Sequence, residues 1–386
     1  MREVIDLASR PRPAKSAPTT AMYTPASQPQ RFAMRPIMRG RPSVQSPDCA
    51  RASSGSSSDS SQSTDTPSAD ASAASLPVSG IASPKEQLVM SNGVIPALFE
   101  LVEYICRPDE KVLFLTPSYA YFKYAADHSS RDYACSDLIN EDGYYSIDWD
   151  DLERRCADPK TTLFIHCNPH NPSGRVWRPK ELERLADILE RHNMWVISDE
   201  IHCDLLRRGQ THTPLGKIMP DYGRLITCMA PSKTFNLAGL MLSNIIIRDP
   251  ELRAVWLERH YNFDNPLSIA AAQAAYEKGE PWLRELQEYL DGNFEFVGEY
   301  LRGHLPKAKY RVSEATYLAW VDLGAYFTPE EDLPMFFAYK AGVLLEGGNM
   351  FVQNSDCFIR LNLACPRTTL QEGLRRICEA VNRKER

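Results

Sequence analysis

Four short stretches of this chain collect residue types that can hold and activate a small molecule. Asn168-Pro169-His170-Asn171-Pro172-Ser173-Gly174 offers amides in a polar turn. Asp199-Glu200-Ile201-His202 offers a carboxylate and an imidazole. Ser232-Lys233-Thr234 offers a hydroxyl and an amine, and Thr116-Pro117-Ser118-Tyr119 offers a phenol ring. A lysine amine adds to a carbonyl as a Schiff base. A carboxylate beside a pyridine nitrogen keeps that nitrogen protonated, and an aromatic side chain stacks on a flat ring. A fifth stretch, Ser91-Asn92-Gly93-Val94, precedes Pro96 and an apolar helical run. It has the capping residues, glycine and early proline of a helix start, and a helix start binds phosphate through its free N–H groups.

The first four stretches each follow a short run rich in β-branched and aromatic residues, at 163–167, 195–198, 225–229 and 112–115. A further run lies at 244–247. Such continuous apolar strands suggest a parallel sheet buried on both faces. Between two of them Leu182, Leu185, Ala186 and Leu189 recur at helical spacing, so strands alternate with helices in an α/β fold with right-handed crossovers. Ligands of open parallel sheets sit beyond the carboxyl ends of the strands. One rim therefore gathers an amide, a carboxylate, an imidazole, an amine and a ring. That set fits pyridoxal 5'-phosphate better than any other cofactor.

The chain has 386 residues, a length that suggests roughly two to three domains. Composition divides it. Residues 1–84 are rich in Ser, Pro, Ala and Arg and are expected to be disordered, because they cannot bury enough apolar area to offset ordering entropy. Residues 85–280 are read as a large cofactor-binding domain. Residues 281–386 are read as a smaller α+β domain, with a long helix at 282–303, strands at 317–321, 343–345 and 358–362, and a last helix from Thr369. The net charge of −6 and pI of about 5.8 give no electrostatic footprint for nucleic acid. No apolar run is long enough to span a membrane. Ten scattered cysteines without a C-x-x-C motif read as reduced thiols of a cytoplasmic enzyme. The Arg-rich first fifty residues resemble a transit peptide, but Glu3, Asp6 and many prolines count against a targeting helix.

N-P-H-N-P-S-G at 168–174, S-D-E-I-H at 198–202 and S-K-T-F-N at 232–236 resemble the fold-type I pyridoxal-phosphate enzymes of the class I/II aminotransferase family. With T-P-S-Y at 116–119 and R-L-N-L-A-C-P-R at 360–367, they are most similar to the MalY/PatB-type cystathionine β-lyases. The resemblance spans roughly residues 86–383. It implies a large domain with a mostly parallel seven-stranded sheet, a smaller α+β C-terminal domain, and a homodimer. It implies that Lys233 is the Schiff-base lysine and the base at Cα. Asp199 would pair with the pyridinium nitrogen, and Asn171 and His202 would face the ring O3′. Tyr119 would stack on the ring, and Gly93, Val94 and Ser232 would surround the phosphate. Arg360 would take the substrate carboxylate as a bidentate fork, which lysine does not reproduce.

Each residue also has a plain structural reading. Asp199 has the position of a helix cap, Tyr119 of core filling, and Arg360 and Lys233 of solvated surface charges. Glu200 reads as structural. Arg207-Arg208 reads as a surface charge pair, and Asp150-Asp151 as a solvated helix start. His166 and His170 flank an Asn-Pro turn, so no metal is expected there. Two features depart from the resemblance. The folded N-terminal segment of the family is not recognisable in 1–84, and Ala230 and Met241 stand where many aminotransferases carry a phosphate-binding serine and arginine. The expected activity is carbon–sulfur β-elimination from an amino acid such as cystathionine, giving a 2-oxo acid, ammonia and a thiol. Transamination is the alternative, and a catalytically silent regulator the third possibility.

Overall fold

The structure, a computed structural model, describes residues 84–260 and 265–385, all within one compact unit. Apart from Pro84, the segment 1–84 lies outside the described residues. The N-terminal strands are β1 (Leu88–Ser91), β2 (Lys111–Thr116), β3 (Ser118–Tyr119), β4 (Asp132–Glu141), β5 (Tyr144–Ile147), β6 (Thr161–Cys167), β7 (Trp195–Asp199), β8 (Leu225–Met229) and β9 (Ser243–Ile247). Helices α1 (Val94–Ile105), α2 (Ala120–His128), α3 (Trp149–Cys156), α4 (Pro179–Arg191), α5 (Leu215–Ile218), α6 (Pro231–Thr234) and α7 (Pro250–Arg259) connect them. After α8 (Pro266–Lys278) and the long α9 (Glu280–His304) come β10 (Lys309–Tyr310), β11 (Leu318–Asp322), α10 (Leu333–Ala341), β12 (Glu346–Gly347), β13 (Phe351–Val352), β14 (Phe358–Asn362) and α11 (Arg367–Lys384).

The large sheet runs β1-β9-β8-β7-β6-β2-β4-β5. Its five central strands, β8 to β4 in that order, are parallel. It thus has eight strands among the described residues where seven were expected. The hairpin strand β5 folds back on β4 with Leu138 opposite Ile147, through a turn in which Gly143 takes a φ of +86°. Burial on both faces is visible along single strands. Val112 and Phe114 enter one core cluster, and Leu113 and Leu115 the opposite one. Leu163 and Ile165 likewise oppose Phe164 on β6. Period-2 alternation sends neighbours to opposite faces, so a strand apolar at every position serves two cores.

A separate sheet, β10-β11-β14-β12, packs a third core against α9, α10 and α11. Leu290, Phe294 and Val297 of α9 meet Ala319 and Val321 of β11 and Ile359 and Leu361 of β14 there. Two expectations fail in this region. Residues 343–345 form no strand, because the Val343 N–H is spent on the Phe337 carbonyl in the stop of α10, where Gly342 takes a φ of +62°. Pairing starts one residue later, at Glu346. Arg207 is no surface charge. It is buried, its Nη1 lies 3.0 Å from Asp291 on α9, and its guanidinium sits 4.8 Å from the Phe294 ring centre. Asp150 and Asp151 do open α3, with Asp148 accepting from the Asp151 N–H at 3.0 Å.

Candidate active site

Strand order builds the site. β8, β7, β6 and β2 are adjacent and parallel, so the loops after them leave the same edge. β1 runs antiparallel to β9 and β9 antiparallel to β8. Two reversals restore the direction, and the start of α1 arrives at the same edge. Gly93 precedes α1 with a φ of +149°, a backbone state that favours glycine.

The loop after β6 is tied into one shape. The Asn168 N–H donates to the Asp199 carbonyl at 3.0 Å, joining the ends of β6 and β7. The Trp177 ring N–H donates to the Cys167 carbonyl at 3.0 Å, and the Trp177 backbone N–H to Asn168 Oδ1 at 3.2 Å. Gly174 takes a φ of +70°, and a Cβ there would stand 2.4 Å from that of Ser313. Its carbonyl accepts from the N–H groups of Glu314 and Ala315. These bonds hold Asn171, itself buried, at the rim.

Asp199 ends β7 and is only 6% exposed. One carboxylate oxygen accepts from the Ile201 N–H at 3.2 Å. Burial pushes its pKa up to about 7, and the charge of Lys233 opposes that rise. The turns after Asp199 form no α-helix, so its capping reading does not apply. His202 is buried and pushed down to about 3 by burial, then by the charges of Lys233 and Arg360. Its Nδ1 has no hydrogen-bond partner among the described residues, and its ring meets that of Tyr317 edge-on at 6.0 Å.

Lys233 sits in α6 directly after β8. Ala230 is extended, Pro231 opens the helix, and Thr234 Oγ1 donates to Asp204 at 2.8 Å, pinning the turn. Ser232 shares it. Tyr119 ends β3, pairs with Phe351 of β13 and is pushed up to about 12 by burial, while the charges of Arg360, Glu346 and Asp199 all act on it. Arg360 arrives from β14 of the separate sheet. Its Nη1 donates to Asn171 Oδ1 at 2.9 Å, its Nη2 pairs with Glu346, and its guanidinium lies 4.9 Å from the Phe351 ring centre. Lys233, Asp199, His202, Tyr119, Asn171 and Arg360 thus lie within mutual electrostatic or hydrogen-bond reach.

Glu200 is structural. It is wholly buried and accepts from Ser198 Oγ, the Leu215 N–H and His212. Sequence reasoning passed over Glu346 and Tyr317. A Glu-Gly-Gly opening a strand was the available signal for the first, and an aromatic at the start of Y-L-A-W for the second. Among the described residues no helix is long and apolar enough to cross a membrane.

The cofactor expected from the residue set can be tested against these atoms. Asp199 is a buried carboxylate that gains from a cation beside it. His202 Nδ1 is a buried polar atom lacking a partner among the described residues, a state that proteins rarely tolerate. The α1 start supplies free N–H groups for an anion, and Lys233 supplies an amine. These residues fit a phosphorylated pyridine aldehyde.

Known proteins agree. The model of the family described as aminotransferase class I and II matches residues 44–377. Cystathionine beta-lyase PatB of Bacillus subtilis is 40% identical over 302 residues, covering 77% of this chain and 78% of PatB. Protein MalY of Escherichia coli is 30% identical, covering 77% of each chain. The crystal structure of the PLP-bound C-S lyase from Staphylococcus hominis superposes with a TM-score of 0.77 at 47% identity, covering 78% of each chain.

Proposed function

This chain belongs to the aminotransferase class I and II family, and from that premise we propose how its residues carry the reaction. The protein is a pyridoxal-phosphate-dependent carbon–sulfur β-lyase of the cystathionine β-lyase kind. It acts on an amino acid with a thiolate leaving group at Cβ. The cofactor, when bound, supplies a Schiff-base carbonyl and an electron sink for the pair left at Cα.

Lys233 would hold the cofactor aldehyde, and its amine, once freed by the substrate amine, would take the Cα proton. Asp199 carries the negative charge that keeps the pyridine nitrogen protonated. Asn171 and His202 would hold the ring hydroxyl, and Tyr119 would stack on the ring. Gly93, Val94 and Ser232 hold the phosphate. Arg360 fixes the substrate α-carboxylate, which orients the Cα–H bond toward Lys233. The Cβ thiolate would leave as the thiol with the proton that Lys233 takes from Cα, and water would convert the released three-carbon enamine to pyruvate and ammonia. The observation that carries this reading is Asp199, a buried carboxylate at a strand end within the field of Lys233.

The reading extends to a cytoplasmic homodimer. Nine unpaired cysteines among the described residues support a reducing compartment. Exposed Met241 and Leu267 support a covered apolar face, and light scattering reads the dimer directly.

The test adds L-cystathionine to the cofactor-loaded protein. Pyruvate and ammonia in equal amounts, without any added 2-oxo acid, are expected. Amino transfer that needs a 2-oxo acid and releases no ammonia would make the enzyme a transaminase. Lys233→Ala is expected to lose the absorbance band of the lysine-bound cofactor, and about 10³-fold or more in rate. A cofactor-loaded wild type that yields neither product would favour a silent regulator.

A further inference from the structure

The guanidinium assigned to the substrate carboxylate already holds a carboxylate. Glu346 and Arg360 are direct cross-strand partners on β12 and β14, and Glu346 pairs with Nη2 of Arg360. The other terminal nitrogen, Nη1, donates to Asn171. The fork is therefore divided between two acceptors. A bidentate carboxylate needs two parallel N–H groups of one guanidinium, and Glu346 occupies one side of that face.

The two partners differ in freedom. Asn171 is buried in a loop fixed on both sides. The Glu346 side chain is 46% exposed, against 11% for Arg360. Glu346 has water to swing into, and Arg360 does not. An ordinary cross-strand ion pair would serve only to hold β12 on β14. This one also lies where the charges of Glu346 and Arg360 both act on Tyr119, at the rim of the site.

We propose that Glu346 is an internal competitor of the substrate α-carboxylate, a gate that closes Arg360 until substrate displaces it. The proposal rests on the assignment of Arg360 to that carboxylate. Its effect is on affinity. When only a fraction of molecules has Arg360 free, apparent affinity is reduced by that fraction. It also sets selectivity, because a ligand with a single weakly held carboxylate displaces Glu346 less well than an amino acid also anchored at its amine.

Glu346→Gln in the cofactor-loaded enzyme is expected to lower KM for L-cystathionine about 3- to 10-fold and to change kcat much less. Titration calorimetry with propionate, which has the carboxylate and no amine, is expected to show a matching gain in affinity. Glu346→Ala repeats both measurements without an amide that could replace the bond. Arg360→Lys separates the gate from its premise. A raised KM in Arg360→Lys, with an unchanged or raised KM in both Glu346 variants, overturns the gate and makes Glu346 a support that orients Arg360. An unchanged KM in Arg360→Lys overturns the carboxylate assignment and the gate with it.

Discussion

Asn171 accepts a hydrogen bond from Arg360 across 2.9 Å, although the two stand 189 positions apart in the sequence. One sits in the loop after β6 and the other on a strand of the separate four-stranded sheet. The bond joins the sheet edge where Asp199 and Lys233 sit to a strand of the separate sheet.

Removing that contact tests what Asn171 does for Arg360. In Asn171→Ala, Arg360 keeps only Glu346 as a polar side-chain hydrogen-bond partner among the described residues. A hydrogen bond to a charged group contributes about 1.5–3 kcal/mol, so KM for the amino acid should rise roughly 10-fold or more. Steady-state kinetics at saturating cofactor measures this. An unchanged KM would show that Arg360 is oriented without Asn171.

Asp199 makes a prediction about pH in the cofactor-free protein. Burial raises it from 3.8 to about 7. A folded-state value above the unfolded one means stability that is complete below pH 4 and lost as pH rises through about 7. Buried His202, His166 and His170, each near 3, act oppositely, losing stability as pH falls below about 6.5. The Asp199 contribution is therefore the difference from Asp199→Asn. Chemical denaturation should show the wild type losing ground to the variant between pH 4 and 7, on the order of a few kcal/mol. A difference that does not change with pH would contradict the buried ionisable carboxylate.

His166 is completely buried with neither ring nitrogen bonded among the described residues, beside Phe164 at 6.2 Å. An apolar side chain of similar volume removes the unmet polar atoms. His166→Leu should raise stability by about 1–2 kcal/mol at pH 7, with a larger gain at pH 5, where the unfolded imidazole is charged. A melting temperature that falls would mean that the imidazole makes an unseen favourable contact.

Arg207 ties the turn after β7 to α9. Truncation to alanine removes the guanidinium that pairs with Asp291, and breaking a largely buried pair this way costs about 3 kcal/mol. Urea unfolding of Arg207→Ala is expected to show that loss, whereas Arg208→Ala should change stability by less than about 0.5 kcal/mol.

The strand ends and their chemistry were legible because both are local. An apolar run followed by Asn-Pro-His-Asn, Asp-Glu or Ser-Lys states its own strand and what its end carries, and parallel packing then brings those ends to one edge. Lys233, Asp199, His202, Asn171 and Tyr119 follow from that logic, and so does the α/β class. The short strands β10, β12 and β13 were not legible, since two residues hold no periodicity. Arg207 read as a surface charge because nothing nearby announces that α9 will cover it.

The sequence by itself determined which side chains could hold a ring, through residue types at strand ends, and a phosphate, through a helix start, while the carboxylate role of Arg360 came from the family resemblance. Only the tertiary structure decided that Arg360 faces Asn171 and is divided with Glu346, because that depends on the register of β12 against β14 and on the meeting of two sheets. Register is set by packing between segments far apart in the chain, and no local pattern encodes it.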